Sequence, residues 1–319
     1  MIDLTQLFWN AEERRVPALW RIVGHGILLA VIGVVVFTIL GEVVPAAWLA
    51  PGSAWAWPIS ATATGLVVAA ATAAAGMSLD RRRFAELGFR LDRRWWADFG
   101  AGVVIGTLLM AGIFAVELAA GWLTIDERLV GAAPGQPFAL ALLGPLVLFV
   151  AVGFYEELVF RGYHLRNLAE GFHFTRLGPR GAVVLATVVS SAAFGLVHAN
   201  NPAATVTSTV AVGLAGCMLA VGLLWTRELA LPIGLHLSWN FCQGNVFGFA
   251  VSGNDAGPRV FAITQLGDPV VTGGAFGPEA GLIGIAAMVV GAGLIAAWVR
   301  LTRGTLRVQA ELADWSPRA

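Results

Sequence analysis

Residues 138–164 read FALALLGPLVLFVAVGFYEELVFRGYH. From Phe138 to Gly153 the run carries no charge; then Glu156 and Glu157 stand side by side, and Arg161 follows four residues after the second. A helix needs roughly 20 apolar residues to cross the hydrocarbon of a bilayer, so the run reads as a membrane span that ends in acids and a base. Ionisable groups at such a place are costly and face the bundle interior or a wet cavity. Neighbouring helix residues point about 100° apart, so the two glutamates cannot share one job. Glu157 and Arg161, spaced i,i+4 with the acid first, suit a salt bridge. Glu156 is left on another face as a free carboxylate. An apolar wall raises the pKa of such a group toward neutrality, where a general base works. The bland alternative is that both acids merely pair with arginines at the interface.

The rest of the chain agrees with lipid as its solvent. It has 319 residues, 57% hydrophobic and 13% charged, with a mean hydropathy of +0.76. Soluble domains carry roughly twice that charge. Eight candidate spans lie near residues 21–44, 56–78, 98–121, 138–160, 182–199, 204–225, 230–250 and 279–301. Their abundance of Gly, Ala and Val predicts close helix approach. Trp55, Trp57, Trp95, Trp96, Trp122 and Trp225 mark segment ends like an aromatic belt. The expected fold is an all-α integral membrane bundle of about eight transmembrane helices.

All 20 basic residues are arginine, balanced by 20 acids. With the N-terminus inside, every arginine but Arg128 and Arg259 falls in an inside segment, so both termini are expected in the cytoplasm. The division is an interfacial N-terminal segment over 1–20, a bundle over 21–302 and a short cytoplasmic tail over 303–319. Leu4, Leu7 and Phe8 share one face of a possible surface helix, and no basic region precedes an apolar one as in a signal peptide. The loop 251–278, rich in Gly and Pro, shows no fold signal. No basic stripe interleaved with aromatics points to nucleic acid. Cys217 and Cys242 lack metal-site spacing and read as small core residues.

The polar residues of the spans narrow the chemistry. Glu42, His25 and Glu117 lie in or at the ends of spans one and three. His198 closes the fifth span in FGLVHANNP, four residues after Phe194; His236 stands in GLHLSWNF, four residues before Asn240, on one helix face. A lone histidine on an apolar face is usually a satisfied core residue. A glutamate, two histidines and an amide on facing helices are also the kit for holding a water and meeting an oxyanion. HExxH, GxSxG and paired GxGD-type aspartates are absent.

EELVFR, FGLVH and HLSWN follow the order EExxxR, FxxxH, HxxxN over a core of about 138–250. In this the chain resembles the CPBP family of intramembrane proteases, which includes the type II CAAX prenyl endopeptidases and bacteriocin-processing and abortive-infection proteins. The resemblance implies that Glu156 and His198 activate the attacking water. It implies that His236 and Asn240 stabilise the oxyanion or help hold a metal, and that Glu157, Arg161 and Phe194 support the site. It leaves open a divalent metal, zinc, on Glu156, His198 and His236, beside a metal-free glutamate mechanism. The implied substrate is a membrane-associated or lipidated peptide or protein. The arginine-only, alanine-rich composition suggests a bacterial inner membrane, where prenylated substrates are not expected. Two other readings stand beside the peptidase: a non-catalytic scaffold or bacteriocin-immunity protein that keeps the fold, and a small carrier using Glu156, Glu117 and Glu42 as relays.

Depth raises a difficulty. Glu156 and His236 sit near the expected inner ends of their spans, and His198 near an outer end. A fifth helix that starts late, after residues 168–182 have run along the inner surface, would bring them together around a cavity open to the cytoplasm.

Overall fold

The computed structural model describes residues 8–11, 13–50, 53–174 and 176–315. Among the described residues, seven helices are long and apolar enough to cross a membrane: Ala18–Val43, Ala56–Asp80, Arg93–Ala119, Phe138–Gly171, Gly178–Val197, Val206–Thr226 and Leu282–Arg303. We label their regular parts α1 (Ala18–Val43), α2 (Ala56–Ala75), α3 (Arg93–Ala119), α4 (Leu143–Glu157), α5 (Leu165–Gly171), α6 (Gly178–Val197), α7 (Val206–Thr226) and α9 (Leu282–Arg303). Between α7 and α9 lies α8 (Ala230–Phe241), prolonged by the wide-turned segment Cys242–Val246. At 1.5 Å per residue these two pieces span about 25 Å, less than a regular span. The large side chains left exposed on α1, such as Val31, Val34, Val35 and Ile39, are apolar, as lipid requires of an outer surface.

The fourth helix corrects the expected boundary. It does not stop near residue 160 but passes through a wide-turned segment, Leu158–His164, into α5. The extension is held by charge. Glu170 is buried near its end and receives Arg15 (2.8 Å), Arg21 (2.7 Å) and Arg82. Arg21 also pairs with Asp80 (2.9 Å), which accepts a hydrogen bond from the Tyr163 hydroxyl (2.6 Å). Glu156 therefore stands near the middle of a continuous helical run. The fifth helix starts at Gly178, not later, and residues 172–174 and 176–177 contain no regular helix.

The same network joins both ends of the described chain. The Arg15 guanidinium lies 4.0 Å from the ring centre of Trp315, whose indole N–H donates to the Asp80 carbonyl (3.1 Å). Leu312 and Ala313 are buried in the core with Ala182 and Val183, so this part of the expected tail returns onto the bundle. Of the interfacial helix expected before residue 20, Leu4 and Leu7 lie outside the described residues; residues 8–11 and 13–17 are described and form turns and an isolated bridge between Asn10 and Arg15 instead of a helix, with Phe8 stacked on Trp20. Of the expected aromatic belt, Trp55, Trp57 and Trp96 are exposed. Trp95 is buried, its indole donating to the Gly88 carbonyl (2.8 Å).

The opposite face carries a small β-sheet. β1 (Leu123–Val130) and β2 (Arg259–Gln265) form an antiparallel pair, with Leu123 opposite Gln265 and Val130 opposite Arg259. The loop 251–278 thus does contain structure. Its RVFAITQ run is rich in β-branched and aromatic residues, a signal diluted by the glycines and prolines around it.

Small residues set the position of α8. A Cβ at Gly234 would lie 2.2 Å from the Phe99 carbonyl oxygen, and one at Gly106 would lie 2.2 Å from Ser238 Oγ. The backbones of α3 and α8 touch, as close-approach motifs allow in a membrane. Leu229 N–H donates to the Gly88 carbonyl (3.0 Å) at one end of α8, and Phe247 stacks beside Phe261 at the other. α8 therefore leads from the arginine-rich face to the sheet-bearing face, with His236 between them.

Candidate active site

Glu157 is the hub of the polar groups at mid-depth. It is fully buried, and one carboxylate oxygen, Oε1, accepts from Arg161 Nη1 and from His236 Nδ1, both at 2.9 Å. The first contact is the i,i+4 pair read from the sequence. The second was not foreseen, because nothing in local spacing tells which side of α8 faces α4. A carboxylate only accepts, so the imidazole proton sits on Nδ1 and His236 presents the Nε2 lone pair on its other side. That nitrogen lies 3.7 Å from Glu156 Oε2. The gap exceeds a hydrogen bond. Glu156 Oε2 has no protein partner.

Arg161 is locked from three sides. Beyond Glu157 it donates from Nη2 to the Gly216 carbonyl (3.1 Å), and its guanidinium stacks 4.3 Å from the Phe194 ring centre. Phe194 in turn meets His236 edge-on at 6.0 Å and His198 at 4.8 Å. The two histidines flank this one ring. His198 Nδ1 donates to the Phe194 carbonyl (2.7 Å), which again leaves Nε2 as the free acceptor. The wide-turned segment Leu158–His164 begins directly after Glu157, and such segments recur at functional positions.

Glu156, His198, His236 and Asn240 all line one cavity of about 1300 Å³. Asn240 lies one turn beyond His236 on α8, as the i,i+4 spacing predicts. Glu42, His25 and Glu117 do not line it. His25 contacts His164 (3.3 Å) and Thr72 (3.0 Å), Glu117 accepts from Gln265 (3.2 Å), and Glu42 is exposed.

The cavity corrects the expected direction of access. Its further walls are Ser53 and Trp55, Ala132 and Gln136, and Ser252 and Asp255, from loops on the sheet-bearing side. The arginine-rich turns contribute none of the lining. The reason is the long fourth helix: α5 and its Glu170 cluster close the arginine-rich end, and His198, at the far end of α6, lines the cavity from the sheet-bearing side.

Sequence reading missed the groups that shape this mouth. Asn201 donates to the Ser252 carbonyl (3.1 Å) and lines the cavity; its place after His198 in HANNP was the available signal. Glu279, also in the wall, accepts from Ser252 N–H (2.6 Å), Ser252 Oγ (3.2 Å) and Gln243 Nε2. A single acid in a loop gave no signal. Burial pushes its carboxyl up to about 7, with the hydrogen bonds opposing.

Among the described residues, no three His, Cys, Asp or Glu side chains are grouped so as to hold a metal ion. As placed, Glu156, His198 and His236 do not form such a group. Cys242 is buried and Cys217 half-buried, both free.

Residues 138–242 match the family model described as type II CAAX prenyl endopeptidase Rce1-like. The chain carries an Rce1-like domain. The match begins where the fourth helical run begins and ends just past Asn240, so the Rce1-like domain holds Glu156, Arg161, His198 and His236 together. No curated protein and no solved structure matches the chain.

Proposed function

We propose that the chain is an intramembrane endopeptidase that hydrolyses a peptide bond of a membrane-associated or lipidated substrate with water activated by Glu156. One observation carries this reading. Glu156 lines the cavity, and its withdrawn oxygen Oε2 has no hydrogen-bond partner and lies 3.7 Å from a histidine nitrogen whose other side is held by a buried glutamate. A water on the cavity side of the Glu156 carboxylate gives one proton to Glu156 as its oxygen attacks the carbonyl carbon, while His236 Nε2 accepts from the other. Glu157 stabilises positive charge on His236. The Asn240 amide donates to the developing oxyanion. When the C–N bond breaks, Glu156 returns its proton to the leaving amine. His198, across Phe194, lines the same cavity with its Nε2 free to accept from the substrate.

The arrangement in the membrane belongs to the same proposal. α8 with its extension makes an eighth crossing, so both chain ends share one face. The excess of arginine puts that face in the cytoplasm of a bacterial inner membrane. The cavity then admits substrate from the opposite side or from the outer leaflet.

The test compares peptide termini, by mass spectrometry of membranes and medium, in cells expressing the wild type or Glu156→Gln at matched levels. Cleavage products that vanish in the variant support the peptidase and name its substrate. If no terminus changes while a phenotype of the protein survives the substitution, the reading fails in favour of a scaffold.

A further inference from the structure

The arginine-rich face holds a second cavity, of about 290 Å³, between the turn around residues 83–90, α5 and the turn after α7. None of its lining residues lines the large cavity. Four arginines and two glutamates wall it: Arg83, Arg90, Arg166, Arg227, Glu86 and Glu228. The glutamates are engaged at the rim. Glu228 pairs with Arg90 (2.9 Å), and Glu86 accepts from the Arg83 backbone N–H (2.7 Å).

The floor is different. Arg166 is only 5% exposed. Its Nη2 donates to the Arg227 carbonyl (2.8 Å), and its Nε has no partner. Arg227 Nε is likewise buried without a partner. Among the described residues no carboxylate pairs with either guanidinium; the nearby Glu170 is already taken by Arg15, Arg21 and Arg82. Arg227 also caps α7 at φ +63°, where glycine is the easier residue. A buried cation without a counter-charge is costly. Arg166 is such a group, and the partly buried Arg227, its Nε without a partner, stands at the same cavity; together they call for an anion.

We propose that this cavity binds a phosphate-bearing anion, with Arg166 and Arg227 as its floor and Arg83 and Arg90 as its rim. Guanidinium forks match phosphate oxygens in geometry and charge. The volume equals the share of roughly ten waters at about 30 Å³ each, enough for a phosphate and part of its ester substituent. The ligand is either the headgroup of an acidic phospholipid or a soluble phosphate.

The full chain, purified in mild detergent, separates these sources. Native mass spectrometry counts phosphatidylglycerol and phosphatidylcholine retained from mixed micelles, and thermal unfolding is followed with inorganic phosphate at constant ionic strength. Arg227→Gly removes one floor cation where the backbone already favours glycine, and Arg83→Gln with Arg90→Gln removes the rim. The wild type is expected to retain one phosphatidylglycerol selectively. Arg227→Gly is expected to weaken it about tenfold, as for a buried charged hydrogen bond, with the unfolding midpoint without ligand kept. The exposed rim pair is expected to weaken it about threefold. A phosphate-dependent midpoint that Arg227→Gly abolishes, without lipid selectivity, assigns the site to a soluble anion. Equal retention of both lipids with no phosphate response, or a selectivity that neither variant changes, overturns the proposal.

Discussion

Glu156 and Glu170 stand on one continuous helical run and meet opposite surroundings. Glu170 is enclosed by three arginines from two other segments of the chain. Glu156 faces a cavity with one oxygen unpartnered and a histidine just beyond hydrogen-bond reach. Both glutamates are largely withdrawn from solvent. What separates them is the company they keep: a carboxylate saturated with cations holds helices together, and one left unsaturated at a cavity can take a proton. Glu157 lies between these extremes: its Oε1 takes both Arg161 and His236, while its buried Oε2 has no hydrogen-bond partner.

That contrast can be broken by substitution. Glu156→Gln keeps the shape and removes the base; turnover should fall by about 10²- to 10⁴-fold with an unchanged unfolding midpoint, read by the appearance of cleaved termini. A variant that keeps its turnover ends the contrast. Glu157→Ala strands the buried Arg161 and the His236 N–H together. It should cost about 3–5 kcal/mol and also abolish activity, measured as loss of folded protein in detergent and of cleavage in what remains. Glu170→Ala should cost stability on the same scale of about 3–5 kcal/mol, while turnover per folded molecule stays within twofold of wild type. Loss of turnover there would mean that the two regions are coupled.

Two smaller effects sharpen the picture. Gly234→Ala places a methyl against the Phe99 carbonyl, so about 1–3 kcal/mol of overpacking is expected, with the cost read by thermal unfolding and a secondary drop in turnover as His236 shifts. Glu279 sets the smallest effect. Its folded pKa, pushed up to about 7, lies above the ordinary 4.5. The folded state binds this proton more tightly than the unfolded chain does. Its contribution to stability is therefore complete below about 4.5 and is lost as pH rises through about 7. The unfolding midpoint should decline between pH 5 and 8, and Glu279→Gln should flatten that decline; parallel curves for both proteins would rule out Glu279 as its source.

Much of this was legible in the residue order. The apolar runs and their caps of charge determined by themselves that the chain is a helical membrane protein, because hydrocarbon admits no unsatisfied backbone and little charge. The i,i+4 spacings of Glu157 with Arg161 and of His236 with Asn240 determined which side chains share a helix face, because that periodicity is intrinsic to the helix. Tertiary structure alone decided the rest. The fourth helix runs on to Gly171 because Arg15, Arg21 and Arg82 come from distant segments to neutralise Glu170, and no local pattern announces a partner 155 residues away. The Glu157–His236 contact depends on how α4 and α8 are rotated against one another, which close approach at glycines such as Gly234 sets. The cavity lies toward the sheet-bearing face because loops far apart in the chain close around it, and only the folded bundle brings them to one place.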